Sequence, residues 1–323
     1  MSLRGAWGAA PAQIRGVLLV ALAAFGFSSM HTVIRFLASD LHPFEIAFFR
    51  NLFGLVALIP ALIATGRRRL RTDHLRLHLL RSCLQLVSML LFFYALSVTP
   101  LARVSAMSFT GPLFATVGAV VFLGEAIHAR RIVALLVGFA GALIVMRPAP
   151  AAGGEGPELA ASGLALDPGV VLVLLSSFGW SIALIVIKVL SRTDSSVTLA
   201  MWMGIFMAPL SLVPALFVWR WPEPGDYFWL ALMGVVGVGG HLAMSQAFKE
   251  TDATAVLPVD FTRLVWASLL GFLVFGERPE LATWIGGAVI FASTTYIAWR
   301  EARANRDAGD DGHRPLADEP QAS

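Results

Sequence analysis

Charged side chains lie inside long apolar stretches of the sequence, and the clearest example is the pair Asp260 and Arg263. A charge in the middle of a membrane-spanning helix costs at least about 2.5 kcal/mol, so each one needs a partner or a function. On a helix, a spacing of three residues places both side chains on one face, where they can form an ion pair. Two interpretations follow: the pair holds its helix in place, or it forms a polar site that engages a zwitterion or gates a cavity.

Two other segments carry charged or titratable groups of the same kind. Arg50 follows an apolar and aromatic run, and it is expected either to reach the end of its segment and pair with Glu45 or to clamp a carboxylate or phosphate. His31 and Arg35 are four residues apart and face one way from a helix. Arg35 is expected to extend to the outer end of the segment, whereas His31 lies deeper and is expected either to pack or to hydrogen-bond a ligand.

Further polar and aromatic side chains extend this set of candidates. His241 and Ser245 form a second pair with a spacing of four. Tryptophans inside apolar segments either pack there or stack on a planar or cationic ligand. The candidate substrate-binding residues are Arg50, Asp260, Arg263, His31, His241, Trp180, Gln85, Tyr94, Ser108, Gln246, Trp202 and Trp266.

The motifs of a membrane-embedded enzyme do not occur in the sequence. The seven histidines are dispersed without a His-Glu-x-x-His pattern, and the single cysteine, Cys83, has no neighbouring catalytic partner. No nucleotide-binding loop occurs either, so ATP-driven transport would need a partner subunit. We therefore expect no catalytic residue, no metal site and no cofactor.

The elements that position these residues are predicted to be transmembrane helices. The chain of 323 residues is 57% apolar and only 14% charged, which excludes an ordinary water-facing surface. Apolar stretches of about 20 residues, the length that spans a bilayer, recur along it. The predicted spans are 16–38, 44–65, 77–98, 102–123, 130–147, 168–190, 197–219, 226–247, 254–275 and 281–299.

An internal repeat divides these ten helices into two halves. Phe109-Thr110 and the following residues to Gly124-Glu125 match Phe261-Thr262 and the following residues to Gly276-Glu277 at an offset of 152. Each half contains five spans, so the halves enter the membrane in opposite senses and form an inverted repeat. The predicted organisation is an N-terminal segment (1–15), a first repeat (16–147), a linker (148–167), a second repeat (168–299) and a disordered tail (300–323).

These repeated motifs resemble the drug/metabolite transporter superfamily, EamA type. Tyr94-Ala95-Leu96 and Gln246-Ala247-Phe248, which precede the two repeated blocks, belong to the same resemblance, as does Pro43-Phe44-Glu45. The resemblance implies an all-α membrane protein of ten helices with a central cavity lined by both halves. The stretch from Phe261 to Ala267 is also similar to members that transport riboflavin or S-adenosylmethionine.

The resulting functional hypothesis is secondary transport of a small metabolite, such as an amino acid, riboflavin or S-adenosylmethionine, by alternating access. A lipid or amphiphile flippase and a membrane-embedded enzyme are the alternatives. The expected partners are a small-molecule substrate and membrane lipid, with no nucleic acid. The sequence leaves open a coupling proton or ion and a homodimer.

Seventeen Lys and Arg residues fall in the segments on one side of the predicted spans and four on the other. Positively charged loops stay in the cytoplasm, so this distribution places both termini there. The 22 Arg against 2 Lys are typical of a GC-rich bacterial coding sequence, so the expected location is a bacterial inner membrane. Reporter fusions at Asp73 and Thr193 should therefore read cytoplasmic, and fusions at Gly154 and Pro224 periplasmic. A periplasmic signal at Asp73 would overturn this orientation.

Overall fold

The computed structural model describes residues 11–65, 72–123, 129–146, 167–190, 193–194, 196–250 and 259–311. Within these ranges the regular structure is entirely α-helical. The helices are α1 (Ala12–Leu37), α2 (Pro43–Thr65), α3 (Leu75–Val98), α4 (Leu101–Ser108), α5 (Gly111–Leu123), α6 (Ala129–Met146), α7 (Pro168–Leu190), α8 (Ser196–Leu216), α9 (Asp226–Glu250), α10 (Thr262–Phe275) and α11 (Leu281–Asp311).

The lengths and composition of these helices suit a bilayer. Five described helices, α1, α2, α3, α7 and α9, contain apolar stretches long enough to cross one, and α6, α8, α10 and α11 contain shorter apolar stretches. A helix satisfies its own backbone hydrogen bonds, which the hydrocarbon core requires. The last helix continues to Asp311, beyond the predicted span and into the segment whose composition predicted disorder, because residues 301–308 contain no Gly or Pro.

The fourth predicted span is two helices rather than one. The backbone N–H groups of Phe109 and Thr110 donate to the carbonyls of Ala106 and Met107, which are three residues earlier, and α5 starts after this tight turn. Pro112 has no N–H to donate to the carbonyl of Ser108, four residues before it, so an uninterrupted helix would lose that bond. In the second half a turn occurs at Phe261, the residue equivalent to Phe109, where the N–H of Leu264 donates to the carbonyl of Phe261.

The two halves pack through symmetric pairs of helices. Helix α1 of the first half packs against α9 of the second, and the equivalent helices α7 and α3 pack against each other in the same way. These two contacts are among the most extensive in the fold. In the same way the contact between α2 and α9 corresponds to the contact between α8 and α3. The contact between α1 and α10 corresponds to the packing of α7 against α4 and α5. Since exchanging the halves reproduces these contacts, the fold has the approximate two-fold symmetry that the repeat predicts.

Ion pairs join the halves where α1 ends, and we call this side of the protein the Arg35 end. The guanidinium of Arg35 lies 2.5 Å from the carboxylate of Glu277, which follows α10. Arg103 on α4 bridges Asp167 at 2.8 Å and Glu280 at 2.9 Å, the residues that precede α7 and α11. Both arginines therefore connect the first half to the second at this end.

The opposite side, the Arg15 end, has its own connections between halves. Arg15 on α1 lies 2.7 Å from Glu250 at the end of α9. His78 on α3 and the hydroxyl of Thr72 both contact Asp194, at 2.7 and 2.6 Å. Burial raises the pKa of the Asp194 carboxyl, but the hydrogen bonds from Thr72 and His78 outweigh it, so this pKa lies below its ordinary value.

Glycines allow α6 and α11 to pack closely against each other at the periphery of the helix bundle. A Cβ atom on Gly286 of α11 would lie 2.6 Å from the carbonyl oxygen of Gly141 on α6 and 3.2 Å from the nitrogen of Val145. Small residues of this kind permit close approach of helices within lipid, where no hydrophobic force drives association.

Gly286→Ala should therefore destabilise the protein, because backbone atoms cannot move aside as a flexible side chain can. We expect a loss of about 1–3 kcal/mol, the usual effect of overpacking, seen as a lower melting temperature in detergent. Gly239→Ala is the matched control, since Gly239 lies within α9 with open space around the position of its Cβ. Equal melting temperatures for the two variants would contradict the close packing of α6 against α11.

Candidate ligand-binding cavity

A cavity of about 370 Å³ lies between the two halves. Its volume is within the range of roughly 300–1,000 Å³ typical of small-molecule sites. Every described helix except α6 and α11 contributes to its wall. The lining residues are Phe27, Met30, His31, Arg50, Gln85, Met89, Phe92, Phe93, Ser108, Gly111, Pro112, Ser176, Ser177, Trp180, Leu184, Met203, Met207, His241, Met244 and Arg263.

Many of these lining residues occupy equivalent positions in the two repeats. The offset of 152 pairs Met89 with His241 and Phe92 with Met244, and it also pairs Gly111 with Arg263. An offset of 153, which aligns the first helices of the halves, pairs Phe27 with Trp180 and His31 with Leu184. The repeat therefore determines which positions face the cavity, and the side chains at those positions make its two sides chemically different.

Arg50 faces the cavity and has no carboxylate partner among the described residues. One terminal nitrogen donates to the side-chain oxygen of Asn51 at 3.0 Å, and the other lies 3.5 Å from Nε2 of His241. The expected alternative of pairing with Glu45 is wrong, because Glu45 is fully buried and accepts hydrogen bonds from the backbone of His42 and Arg220. Arg50 thus presents an unopposed positive charge to the cavity.

Two histidines lie close to this charge. His241 contacts Arg50 directly, and its ring lies edge-on to that of Phe27 at 5.0 Å. His31 lines the same cavity as Arg50 and Arg263 and packs against the ring of Phe92, with 5.0 Å between the ring centroids. Its Nδ1 is buried without a hydrogen-bond partner. Both imidazoles can therefore offer hydrogen bonds to a bound ligand.

Asp260 and Arg263 form the ion pair that their spacing predicts, with 2.9 Å between Arg263 Nη2 and one oxygen of Asp260. The guanidinium lines the cavity and lies over the ring of Phe109, 5.1 Å from its centroid. The second oxygen of Asp260 and the Nε of Arg263 are buried and have no hydrogen-bond partner. The pair therefore fixes Arg263 in place while leaving hydrogen-bonding capacity unused on both members.

Gln85, Ser108 and Trp180 complete the predicted residues that reach the cavity. The side-chain oxygen of Gln85 is buried and unpartnered, whereas the hydroxyl of Ser108 donates to the carbonyl of Ser105 at 2.7 Å. Trp180 presents an aromatic ring from α7. The structure thus brings together Arg50, Arg263, His31, His241, Gln85, Ser108 and Trp180, with Asp260 held against Arg263.

The other four candidates lie outside the lining of the cavity. Tyr94 is 42% exposed near His42, and Gln246 is exposed and donates to Glu250. The ring of Trp202 stacks on Phe206, and that of Trp266 lies edge-on to Phe25 at 5.0 Å. Arg35, expected to extend to the end of its segment, instead donates to the backbone of Thr99 and pairs with Glu277.

Sequence reasoning missed three groups of lining residues: two serines, five methionines, and the further residues Phe27, Phe92, Phe93, Gly111, Pro112 and Leu184. Ser176 and Ser177 line the cavity from α7. They directly precede Phe178-Gly179-Trp180, which the offset of 153 aligns with Phe25-Gly26-Phe27, and this match is a signal that could have found them. Five of the ten methionines also line it, and a methionine inside an apolar span carries no signal. No group of three or more potential metal ligands occurs among the described residues.

Comparison with known families accounts for this arrangement. The model of the EamA-like transporter family matches residues 14–147 and again residues 167–299. The chain belongs to the EamA-like transporter family. The apolar helices of the described residues and the doubled repeat are thus those of a multi-pass membrane protein of this family, and the cavity lies between its two repeats.

Curated relatives of this EamA-like transporter have several named functions. It is 29% identical to an S-adenosylmethionine uptake transporter of Rickettsia bellii, over 86% of this chain and 91% of that protein. It is 30% identical to a riboflavin transporter of Vibrio cholerae (91% and 96%) and 28% identical to the pseudopaline exporter CntI of Pseudomonas aeruginosa (85% and 93%). A solved crystal structure with 20% identity shares the fold, with a TM-score of 0.54 over 90% of this chain and 96% of that one.

Substitutions at Asp260 and Arg263 should separate stability from binding in this EamA-like transporter. Arg263→Ala leaves the carboxylate of Asp260 buried without its partner, so we expect a lower melting temperature and less folded protein. The double variant Asp260→Val with Arg263→Met removes both charges, and it should regain stability without regaining transport, because Arg263 lines the cavity. Size-exclusion profiles and uptake into proteoliposomes measure the two effects. Wild-type transport by a stable double variant would remove the pair from the binding site.

Proposed function

We propose that this chain is a secondary transporter that moves a small carboxylate-bearing metabolite across a bacterial inner membrane by alternating access. The observation that carries the proposal is a cavity between two symmetric halves, with two arginines and two histidines in a largely apolar wall, beside the turn that interrupts the fourth predicted span. In transporters built from inverted repeats, substrates bind near the middle of the membrane at the interface of the repeats, beside interrupted helices. The proposal also assigns the transporter function of the named relatives, rather than an enzymatic one, to this chain.

The symmetric packing supports the alternating part of the proposal. Equivalent residues such as Phe27 and Trp180 line the cavity from the two halves, so the halves can exchange their packing while keeping the same positions at its wall. Ion pairs connect the halves at both the Arg15 end and the Arg35 end. Opening towards one side requires the connections at that side to separate, while those at the opposite side hold the cavity closed.

The charge distribution of the cavity favours a carboxylate on the substrate. Arg50 and Arg263 both face the cavity, and Asp260 compensates only Arg263. A guanidinium binds a carboxylate through two parallel hydrogen bonds, and such bonds are stronger within a low-dielectric site. Arg50 is therefore the residue that binds the substrate carboxylate, with His241 beside it.

The remaining wall favours a flat ring or a sulfur-bearing group on the same substrate. Phe27, Phe92 and Trp180 offer ring faces, and methionines from α1, α3, α8 and α9 surround them. Aromatic faces attract planar rings and cations, and thioethers pack against both. Among the substrates in the names of the relatives, S-adenosylmethionine has a carboxylate, a sulfonium and a purine, whereas riboflavin has no carboxylate. The cavity therefore suits an amino-acid derivative of the first kind.

Uptake into proteoliposomes tests this function with a panel of labelled S-adenosylmethionine, tryptophan and methionine. For the member that is taken up, Arg50→Gln should lower the initial rate at subsaturating substrate by about tenfold or more. The reason is that a charged hydrogen bond contributes about 1.5–3 kcal/mol and each 1.4 kcal/mol is a factor of ten. The decarboxylated analogue should compete poorly with the parent compound in the wild type.

Arg220→Gln serves as the matched control, because Arg220 is exposed outside the helices and lies outside the cavity. This variant should transport at the wild-type rate. Uptake that is indifferent to Arg50→Gln and to removal of the carboxylate would overturn the assignment of the substrate. Movement of labelled lipid between leaflets without uptake of any solute would favour a flippase instead.

A further inference from the structure

Arg81 is a buried guanidinium on α3 that lies outside the cavity lining. The sequence places Arg81 among the seventeen Lys and Arg residues expected on the cytoplasmic side, but the structure places it within the fold with only 5% of its surface exposed. One terminal nitrogen donates to the backbone carbonyl of Leu199 at 3.2 Å, and the other lies 3.4 Å from the sulfur of Met203. Its Nε is buried without a hydrogen-bond partner.

No carboxylate among the described residues lies within ion-pair distance of Arg81. Asp194, at the same end of the protein, is engaged by Thr72 and His78. A buried charge is costly unless it is paired and hydrogen-bonded, and a thioether sulfur and one carbonyl compensate a guanidinium poorly. The unused Nε and the missing counter-charge therefore indicate a place that accepts an anion from elsewhere.

The location of Arg81 connects it to the cavity. Met203 contacts Arg81 and also lines the cavity. Gln85, another lining residue, is four residues further along α3, so the two side chains lie on one face about one helical turn apart. Arg81 thus lies beside the cavity, displaced towards the Arg15 end.

This cation is present on one side of the molecule only. The offset of 152 pairs Arg81 with Met233 on α9, and Met233 is fully buried. A guanidinium therefore lies between the cavity and the Arg15 end, whereas the equivalent position in the second half is apolar. The two halves differ here in charge, although their backbones are related by symmetry.

We propose that Arg81 forms a second anion site, which receives the substrate carboxylate from Arg50 as the substrate moves between the cavity and the Arg15 end. This inference rests on the proposed function, because it requires a substrate with a carboxylate. Arg50 sets the affinity of the central cavity, and Arg81 sets the rate at which the substrate enters or leaves at the Arg15 end.

Arg81→Gln tests the role of the charge, since glutamine can still donate a hydrogen bond to the carbonyl of Leu199. The probe is the compound that the wild type binds from the panel of S-adenosylmethionine, tryptophan and methionine. We expect the equilibrium Kd of the purified variant to stay within twofold of wild type and the initial uptake rate into proteoliposomes to fall at least tenfold. Arg81→Lys keeps the charge but loses the planar guanidinium with its several donors, and its initial uptake rate should fall about threefold.

Arg76→Gln is the matched control on the same helix, since Arg76 is exposed and should leave both Kd and rate unchanged. An uptake rate for Arg81→Gln within twofold of wild type would overturn the proposal. So would a Kd that weakens in proportion to the rate, which would indicate a purely structural role. If Arg81→Gln yields no folded protein, Arg81→Lys decides: a threefold slower rate at unchanged Kd supports the proposal, and a wild-type rate refutes it.

The two readouts also separate this inference from the function on which it rests. A wild-type protein that binds no member of the panel overturns the proposed substrate and the role of Arg81 together. A wild-type protein that binds and transports, with uptake insensitive to Arg81→Gln, overturns the Arg81 site alone.

Discussion

Inside a bilayer no water is present to satisfy a polar group, and the whole arrangement of this protein depends on that constraint. The backbone satisfies itself within helices, and side chains that carry charge lie between the halves, where protein or an internal cavity surrounds them. Arg35, Arg103 and Arg263 each find a carboxylate there. Arg50 and Arg81 do not find one among the described residues, and the constraint that explains the paired charges is therefore the basis on which we propose that these two bind a ligand.

The internal repeat determines positions, whereas individual substitutions determine chemistry. Met89 and His241 occupy equivalent places in the cavity wall, as do Gly111 and Arg263. A strictly symmetric cavity would bind a ligand equally well in two orientations. Because the polar groups differ between the halves, a zwitterionic or amphipathic ligand would meet different side chains in its two orientations, while the symmetric backbone is compatible with the alternating access that we propose.

Much of the fold could be predicted because span length and the repeat offset are direct consequences of membrane thickness and gene duplication. The free-energy cost of burying a charged or titratable group in lipid indicates Arg50, Arg263 and the histidines as candidate site residues. Helical spacing does not show which face of α9 meets the cavity. The sequence therefore predicts Gln246 as a site residue, although the structure places it exposed near the end of the helix. Arg81 is one of the seventeen Lys and Arg residues that the sequence assigns to the cytoplasmic side, and only packing distinguishes a buried arginine from a solvated one in such a set.

The methionine-rich wall has a consequence for how a protein of this kind can change its ligand. Unbranched thioether side chains adopt many conformations and adapt to ligands of different outline, so they impose little selectivity of their own. Discrimination then falls on a small number of polar residues, and exchanging one or two of them changes the preferred ligand without repacking the helices. A single scaffold can in this way acquire new cargoes over short evolutionary distances, because the adaptable wall tolerates each intermediate.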